Sequence, residues 1–318
     1  MSEGEVLALS GGIGGAKLAL GLSRVLPDGS LTVVANTADD FEHLGLNISP
    51  DLDTLMYTLA GLDNPEAGWG RGNETWTFMS VLASLGGETW FKLGDGDLAV
   101  HVERTRRLRA GESLTAITAD FCARLGIAAR LLPMSDDRVR TRLRTSDGWL
   151  EFQEYFVHRR CAPEVREIAF EGASVAKPNP AVLTALSSSR LRAVVICPSN
   201  PLISVDPILA LPGMRAALVR CRAPVIAVSP IIGGKAVKGP TAKMLAELGR
   251  PVSAVEVALH YRDFLDGFIL DEADAPLAPA LDMPFTLAKT LMHTLADREA
   301  LARGVLDFAG TLREKPRG

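Results

Sequence analysis

The sequence predicts an α/β fold, a doubly wound and mostly parallel Rossmann-like sheet with an inserted helical and β-hairpin subdomain. Two continuous apolar runs, Val6 to Leu9 and Leu31 to Ala35, are joined by a helical pattern of leucines. Strands that are apolar on both faces and connected through a helix are typical of a parallel sheet covered on both sides. The alternation of strand and helix patterns returns near residue 180. We therefore predict a nucleotide-binding core from residues 1–70 and 176–318, with residues 71–175 inserted beside the ligand crevice.

The composition is that of an ordinary globular protein. The chain has 318 residues, of which 47% are hydrophobic and 23% charged, enough for a large buried core in one large or two modest domains. A formal net charge of -4 gives no electrostatic footprint for nucleic acid or an anionic membrane. The four cysteines form no Cys-x-x-Cys pair, and we find no leader and no apolar run long enough to cross a bilayer. We expect a cytoplasmic protein with buried free thiols and no nucleic-acid or membrane partner.

A glycine turn follows the first strand pattern. Its residues are Ser10-Gly11-Gly12-Ile13-Gly14-Gly15, and Lys17 comes one turn into the helix that follows. Glycines allow a sharp turn, and the N–H groups and positive end of a helix N-terminus suit a phosphate. The spacing matches neither Gly-x-Gly-x-x-Gly nor the Walker pattern, and a turn that binds nothing stays an alternative. We predict a nucleotide-binding role for Gly11, Gly12, Gly14, Gly15 and Lys17.

Acidic residues follow the second strand pattern and begin the next helix. Asn36-Thr37-Ala38-Asp39-Asp40 stands at the carboxyl end of that strand, which borders the ligand crevice of a doubly wound sheet. Asp39 and Asp40 could instead cap a turn. Ser49 and Pro50 start a helix in which Asp51 and Asp53 point about 200° apart. If the segment is fully helical, we do not expect the two carboxylates to reach the same ligand. One of the two could serve only the helix dipole.

The middle of the chain is mainly helical, with one acidic turn and one hairpin. Helical patterns cover Thr77 to Leu85, Leu98 to Leu108 and Leu114 to Leu125. Gly94-Asp95-Gly96-Asp97 predicts a functional turn, and the basic run from Arg104 to Arg109 predicts a solvated helix face. The alternation from Arg138 to Arg160, with Asp147-Gly148 between its arms, predicts a β-hairpin.

Two further polar turns follow strand patterns in the last third of the chain. They are Pro198-Ser199-Asn200-Pro201 and the longer turn from Ser229 through Gly233, which continues to Lys235 and Lys238. Turns at the carboxyl ends of parallel strands meet at one crevice. A long helix is predicted from Pro284 to Phe308.

These parts suit a site that holds a nucleotide diphosphate together with a divalent metal. Carboxylates bind a hard cation, while amides and lysines bind phosphate oxygens. No serine lies in a nucleophile elbow, and we interpret the five histidines as structural or exposed. The residues therefore indicate phosphoryl-type transfer or nucleotide binding and leave the substrate open.

The motifs together resemble the 2-phospho-L-lactate transferase family of coenzyme F420 biosynthesis. The similarity runs from end to end and is carried by Ser10 to Lys17, Asn36 to Asp40, Ser49 to Thr54, Lys92 to Asp95, Leu132 to Asp137, Pro198 to Pro201 and Ser229 to Gly233. It implies a homodimer and a magnesium-dependent transfer of a phospho-acid group from a guanosine diphosphate-activated donor to the deazaflavin riboside Fo, with release of GMP. The acid could be lactate, enolpyruvate or glycerate.

The resemblance also implies roles for individual residues. Asp53 and Lys92 would contact the Fo acceptor, and we add Asp95 to that group. The guanosine nucleotide would lie against the glycine turn and a set of polar residues: Asn36, Ser199, Asn200, Ser229 and Gly233. From the chemistry we assign Mg²⁺ to Asp39, Asp40 or Asp51, and a catalytic role to these three and Asp53.

Two observations qualify the resemblance. The chain has Ile13-Gly14-Gly15-Ala16-Lys17 where the archaeal form carries Thr-Gly-Thr-Pro-Lys, which alters the donor end. Distant relatives with a similar sheet bind a nucleotide sugar as regulators and catalyse nothing. The alternative prediction is therefore a non-catalytic nucleotide-sugar-binding regulatory protein.

Overall fold

The computed structural model describes residues 4–64 and 70–313. The strands are β1 (Glu5–Ser10), β2 (Leu31–Ala35), β3 (Phe41–His43), β4 (Leu46–Ile48), β5 (Arg130–Pro133), β6 (Arg140–Thr145), β7 (Gly148–Glu151), β8 (Val165–Glu171), β9 (Leu191–Ile196), β10 (Val225–Val228), β11 (Ile231–Ile232), β12 (Lys235–Ala236), β13 (Gly267–Asp271) and β14 (Phe285–Ala288). The α-helices are α1 (Gly12–Val25), α2 (Pro50–Ala60), α3 (Thr77–Ser84), α4 (Asp95–Arg109), α5 (Leu114–Arg124), α6 (Pro180–Ser187), α7 (Asp206–Leu209), α8 (Met214–Arg220), α9 (Thr241–Glu247), α10 (Ala254–His260) and α11 (Leu295–Arg313). Two π-helices, Glu154–His158 and Pro201–Val205, and a 3-10 helix, Glu272–Ala280, complete these elements.

Seven strands form the central sheet, in the order β14-β13-β10-β9-β1-β2-β5. All neighbouring strands are parallel. Their apolar side chains belong to two buried clusters, one on each face of the sheet. In β1, for example, Leu7 and Leu9 belong to one cluster and Val6 and Ala8 to the other. The predicted doubly wound α/β fold is confirmed.

The chain changes direction within the sheet between β1 and β9. From β1 it winds through β2 to β5, and from β9 it winds the other way through β10 and β13 to β14. Loops that leave adjacent strands in opposite directions open a crevice at the carboxyl edge, where doubly wound folds bind ligands. The glycine turn after β1 and the Pro198 turn after β9 are the two walls of this crevice.

Three elements differ from the sequence-based expectation. β5 lies within the segment 71–175 that we predicted as an insertion, so the sheet takes its edge strand from that segment. The region predicted as one helix from Pro284 to Phe308 contains β14 first and α11 only after it. The predicted turn from Gly94 to Asp97 is the start of α4, because two acidic residues fall in its first turn and the Glu74 carboxylate accepts the N–H groups of Gly96 and Asp97.

Helices in the described part of the chain contribute to the two sides of the sheet. No single one of them is long and apolar enough to span a membrane, although the bent pair Pro201–Leu209 and Met214–Arg220 meets the length and composition criteria together. A small hairpin, β3 and β4, connects β2 to α2 and lies beside α4. The sheet β7-β6-β8 leads to the π-helix Glu154–His158, which borders the crevice from the opposite side.

Candidate active site

A cavity of about 750 Å³ lies at the carboxyl ends of β1 and β9. Small-molecule sites in proteins have volumes of this order, and this position is where the fold places them. Eleven of the sixteen residues predicted from the sequence line it: Gly11, Gly12, Gly14, Lys17, Asp39, Asp51, Asp53, Lys92, Ser199, Asn200 and Ser229. Asn36 and Asp40 lie buried behind this lining, and Gly15, Asp95 and Gly233 are also outside it.

The glycine turn brings the ends of β1 and β9 into direct contact. The Gly11 N–H donates to Ser199 Oγ at 3.1 Å, and the same hydroxyl donates to the Gly11 carbonyl at 2.8 Å. A Cβ on Gly14 would lie 2.5 Å from the carbonyl oxygen of Pro198, so only glycine fits there. Gly15 packs in the same way against Ser10 and Ser199, which explains why it does not face the cavity.

Asp51 is in the first turn of α2, and its carboxylate lies against the N-terminus of α1. Its Oδ1 accepts the Gly12 N–H at 2.7 Å and its Oδ2 accepts from the Asn36 side-chain amide at 3.1 Å. Asn36 also donates to the Ile203 carbonyl at 3.2 Å, so it orients Asp51 from behind and does not reach the cavity itself. Burial raises the pKa of Asp51 to about 6, although the two hydrogen bonds oppose the shift.

Asp39 faces the cavity close to Asp51. Burial and the Asp51 charge raise the pKa of Asp39 well above its ordinary value, and Asp39 Oδ1 is buried without a hydrogen-bond partner among the described residues. Asp39 and Asp51 are two buried carboxylates that both line the cavity, and Asp39 keeps an unpaired oxygen, so together they fit a hard divalent cation. Of the three predicted metal ligands, this pair is therefore the one that fits.

Asp40, the third predicted metal ligand, points away from the cavity. Its Oδ2 accepts from the Ser49 hydroxyl at 2.8 Å, and burial raises its pKa to about 7 despite the nearby charge of Arg140. Asp40 Oδ1 is buried without a partner among the described residues, but of the two neighbouring aspartates only Asp39 lines the cavity, so the predicted metal role fits Asp39 better than Asp40.

Asp53 also lines the cavity and belongs to a separate buried network. Arg104 grips both carboxylate oxygens of Asp53, with Nη1 3.0 Å from Oδ2 and Nη2 on Oδ1. Arg104 Nη1 also lies 3.3 Å from His101 Nδ1, which must accept because a guanidinium only donates. His101 Nε2 lies 3.2 Å from Asp97 Oδ2, and the Tyr57 hydroxyl donates to Asp97 Oδ1 at 2.5 Å.

The network also offers a second set of possible metal ligands, in Asp53, Asp97 and His101, whose ligand atoms lie within 4.8 Å of one another. Arg104 already neutralises Asp53, however, and a cation placed there would face its guanidinium. Magnesium also prefers oxygen ligands to an imidazole. For both reasons the pair Asp39 and Asp51 fits the chemistry of magnesium better than this second set does.

Sequence reasoning missed Arg104 and His101. We predicted a solvated face for Arg104, and the side chain is only 2% exposed. A signal was present in the sequence, since Asp97, His101 and Arg104 are spaced by four and three residues and so share one helix face. That face could have been recognised as the one that meets Asp53.

Asp95 does not contact the cavity, contrary to the prediction of a substrate-binding role. Its carboxylate accepts from the Thr75 hydroxyl at 2.6 Å and from the N–H groups of Thr77 and Phe78 at 3.1 and 3.0 Å. It therefore satisfies the first turn of α3, which needs acceptors for its free N–H groups. Gly233 is likewise occupied, because its N–H donates to the Asp274 carboxylate at 3.0 Å.

Aromatic rings line the end of the cavity where Lys92 lies. Trp90 stacks on His158 with ring centroids 5.2 Å apart, and Phe152 stacks on Phe156 at 5.3 Å. Offset stacking of this kind is favourable for planar rings, and a flat heteroaromatic ligand can use the same faces. Sequence reasoning assigned these phenylalanines to a hairpin arm and missed the surface they form.

Known proteins resemble this chain over nearly its whole length. A family model described as 2-phospho-L-lactate transferase CofD matches residues 6–300. A phosphoenolpyruvate transferase of Streptomyces griseus is 42% identical over 97% of this chain and 99% of its own length. A 2-phospho-L-lactate transferase of Methanosarcina mazei is 42% identical over 85% of this chain and 88% of its own. Among solved structures, a UPF0052 family protein of Bacillus halodurans has a TM-score of 0.63 at 14% identity, covering 96% of this chain and 99% of that one, which shows a shared fold.

Proposed function

The chain belongs to the 2-phospho-L-lactate transferase CofD family, whose members are transferases of coenzyme F420 biosynthesis, and we propose its reaction on that premise. A phospho-acid group passes from a guanosine diphosphate-activated donor to the terminal hydroxyl of the deazaflavin riboside Fo. The hydroxyl oxygen bonds to the phosphorus next to the acid, and the bond from that phosphorus to GMP breaks. The observation that supports this most is a single cavity lined by the glycine turn, the carboxylates of Asp39 and Asp51, Lys92 and a set of aromatic rings.

The donor would lie across the glycine turn. The N–H groups of Ile13 and Gly14 in the first turn of α1 and the ammonium of Lys17 suit the diphosphate, whereas the Gly12 N–H is already bonded to the Asp51 carboxylate. Asn200 and Ser229 line the same side of the cavity and offer polar contacts to the nucleoside. These are the residues that would fix the donor's orientation.

The carboxylates of Asp39 and Asp51 would hold Mg²⁺ at the donor end. When bound, the ion would neutralise charge on the phosphoryl group as it is transferred. The protein's own contribution is to keep both carboxylates buried and in the lining of the same cavity. The Asn36 amide orients Asp51 by donating a hydrogen bond to its carboxylate from outside the cavity lining, out of contact with substrate.

The acceptor would lie on the aromatic surface formed by Trp90, Phe91, Phe152, Phe156 and His158. Its planar ring system matches these faces, and its terminal hydroxyl would reach Asp53. Arg104 grips both oxygens of Asp53 and so fixes the carboxylate in one orientation. A carboxylate fixed in this way accepts a hydrogen bond from the attacking hydroxyl and aims its oxygen at the phosphorus.

The transfer reaction is tested directly with purified protein, Fo, Mg²⁺ and each of three donors, which carry lactate, enolpyruvate or glycerate. We expect a phosphorylated deazaflavin and an equal amount of GMP with at least one donor, measured by chromatography and mass spectrometry. The enolpyruvyl donor has priority because relatives that match 97% of the chain are phosphoenolpyruvate transferases. Failure with all three donors would contradict the proposal and favour a nucleotide-binding regulator.

A matched pair of variants separates the site from the activity. Asp53→Asn should reduce kcat/KM by at least about 100-fold if its carboxylate orients the acceptor. Asp95→Asn serves as the control, because Asp95 bonds to the Thr75 hydroxyl and to backbone N–H groups of α3 and does not line the cavity. Equal activity of wild type and Asp53→Asn would reject the assignment of Asp53 while leaving the reaction itself in place.

A further inference from the structure

A second, smaller chamber opens beside the glycine turn. It has a volume of about 110 Å³, too small for a nucleotide, and shares Ile13, Lys17 and Lys238 with the main cavity. Its other lining residues in the described part of the chain include Asp63, His293 and Arg298. The transfer reaction proposed above assigns no role to this chamber.

Three separate elements bring basic side chains to the chamber. Lys17 is on α1, Lys238 is in the loop between β12 and α9, and Arg298 is in the first turns of α11. Helices α1 and α11 touch at Gly21, where a Cβ would collide with the carbonyl group of Arg298. Long side chains on a helix lean toward its N-terminus, so Arg298 reaches back to the chamber.

The chamber has a surplus of positive charge. Among the described residues, three basic side chains, Lys17, Lys238 and Arg298, line it together with one carboxylate, that of Asp63. Burial lowers the pKa of Lys17, the charges of Arg298 and Lys238 lower it further, and Asp63 opposes this effect. Like charges gathered in a concave, partly buried space attract an anion.

Arg298 and Lys17 differ in how their hydrogen-bonding groups are satisfied. Lys17 Nζ donates to the Met292 carbonyl at 2.8 Å, which holds the ammonium at the chamber wall. Arg298 Nε is buried and has no hydrogen-bond partner among the described residues. A buried donor without an acceptor costs free energy, and a bound oxyanion would supply that acceptor.

We propose that this chamber is a subsite for one oxyanion group, a phosphate or a carboxylate, held by Arg298, Lys238 and Lys17 beside the glycine turn. A phosphate and a carboxylate present the same kind of acceptor oxygens to a guanidinium. The two anions differ in charge, and the surplus of positive charge in the chamber favours the dianionic phosphate over a singly charged carboxylate. The proposal concerns binding alone and does not depend on the transfer reaction.

Direct titration tests the subsite. Full-length protein in low-salt, metal-free buffer is titrated by calorimetry with inorganic phosphate and, separately, with pyruvate as the carboxylate probe. We expect Arg298→Gln and Lys238→Gln each to raise the Kd of the bound anion at least fivefold. Asp63→Asn should lower that Kd at least twofold, because it removes the opposing carboxylate among the described lining residues. The control is Arg303→Gln, an exposed position on the same helix that does not line the chamber, with no expected change.

The outcomes distinguish the sources and can overturn the proposal. A Kd for phosphate that rises in Arg298→Gln and Lys238→Gln identifies a phosphate subsite. If only pyruvate binds and its Kd rises in these variants, the chamber is a carboxylate subsite. Absence of binding for both anions would overturn the proposal, as would a Kd that is the same in wild type, Arg298→Gln and Lys238→Gln. Lys238 lies on an exposed loop, so its replacement keeps the test independent of folding. Because the readout is binding, a failed transfer assay leaves this result interpretable.

Discussion

Replacement of Arg104 by glutamine tests the buried ion pair at the acceptor end of the cavity. Arg104 is 2% exposed and Asp53 is 5% exposed, and the guanidinium contacts both carboxylate oxygens. Removal of one partner of such a pair leaves an uncompensated buried charge, which costs about 3–5 kcal/mol. We expect Arg104→Gln to lower the free energy of unfolding by that amount, measured by urea denaturation followed by circular dichroism.

A double-mutant cycle makes this prediction specific. In Arg104→Gln/Asp53→Asn neither charge remains, so the double variant should be more stable than the sum of the single changes predicts, by about 1–3 kcal/mol. Arg106→Gln is the matched control on the same helix, because Arg106 pairs with Glu103 at the surface and such pairs contribute about 0–1 kcal/mol. Additivity of the two single changes within about 0.5 kcal/mol would refute the reasoning.

Three further predictions follow from the donor end of the cavity. Asp51→Asn should weaken Mg²⁺ binding at least about 10-fold by calorimetry, since it removes one of two buried carboxylates, and an unchanged Kd would exclude Asp51 as a ligand. Asp40 has its pKa raised to about 7, so its protonated form is favoured in the fold and Asp40 should contribute a loss of about 2 kcal/mol of stability in metal-free protein as the pH rises from about 5 to 7. Asp40→Asn should make the pH dependence in thermal melts less steep by this amount, while Asp39 and Asp51, whose pKa values are also raised, keep their share; a profile identical to wild type would contradict the prediction. Gly14→Ala should cost at least about 2 kcal/mol in urea denaturation because its Cβ would lie 2.5 Å from the Pro198 carbonyl, whereas Gly304→Ala, with open space around it, should cost nothing.

The separation of Asp51 and Asp53 was predictable because it depends on helix geometry alone. The sequence places them about 200° apart on α2. In the structure Asp51 bonds to the glycine turn and to Asn36, whereas Asp53 bonds to Arg104. One helix therefore supplies two carboxylates to the cavity, each held by a different set of partners.

The roles of Asp40 and Asp95 could not be predicted because acidic residues near a strand end or a helix start have two common uses. They can bind a ligand, or they can satisfy backbone and side-chain donors nearby. Asp40 is held by Ser49, and Asp95 by Thr75 and the start of α3. Only the directions of these side chains in the folded chain distinguish the two uses.

By itself the sequence determined the parallel sheet, the polar turns at its carboxyl edge and the family, because these follow from local periodicity and from motifs that lie contiguously in the chain. The tertiary structure alone decided which residues share the cavity. Arg104 joins Asp53 across 51 positions, and Ser199 meets Gly11 across 188. Such contacts depend on how helices and turns pack around the sheet, and this packing turns the basic stretch of α4 inward at Arg104 and leaves Arg106 in solvent.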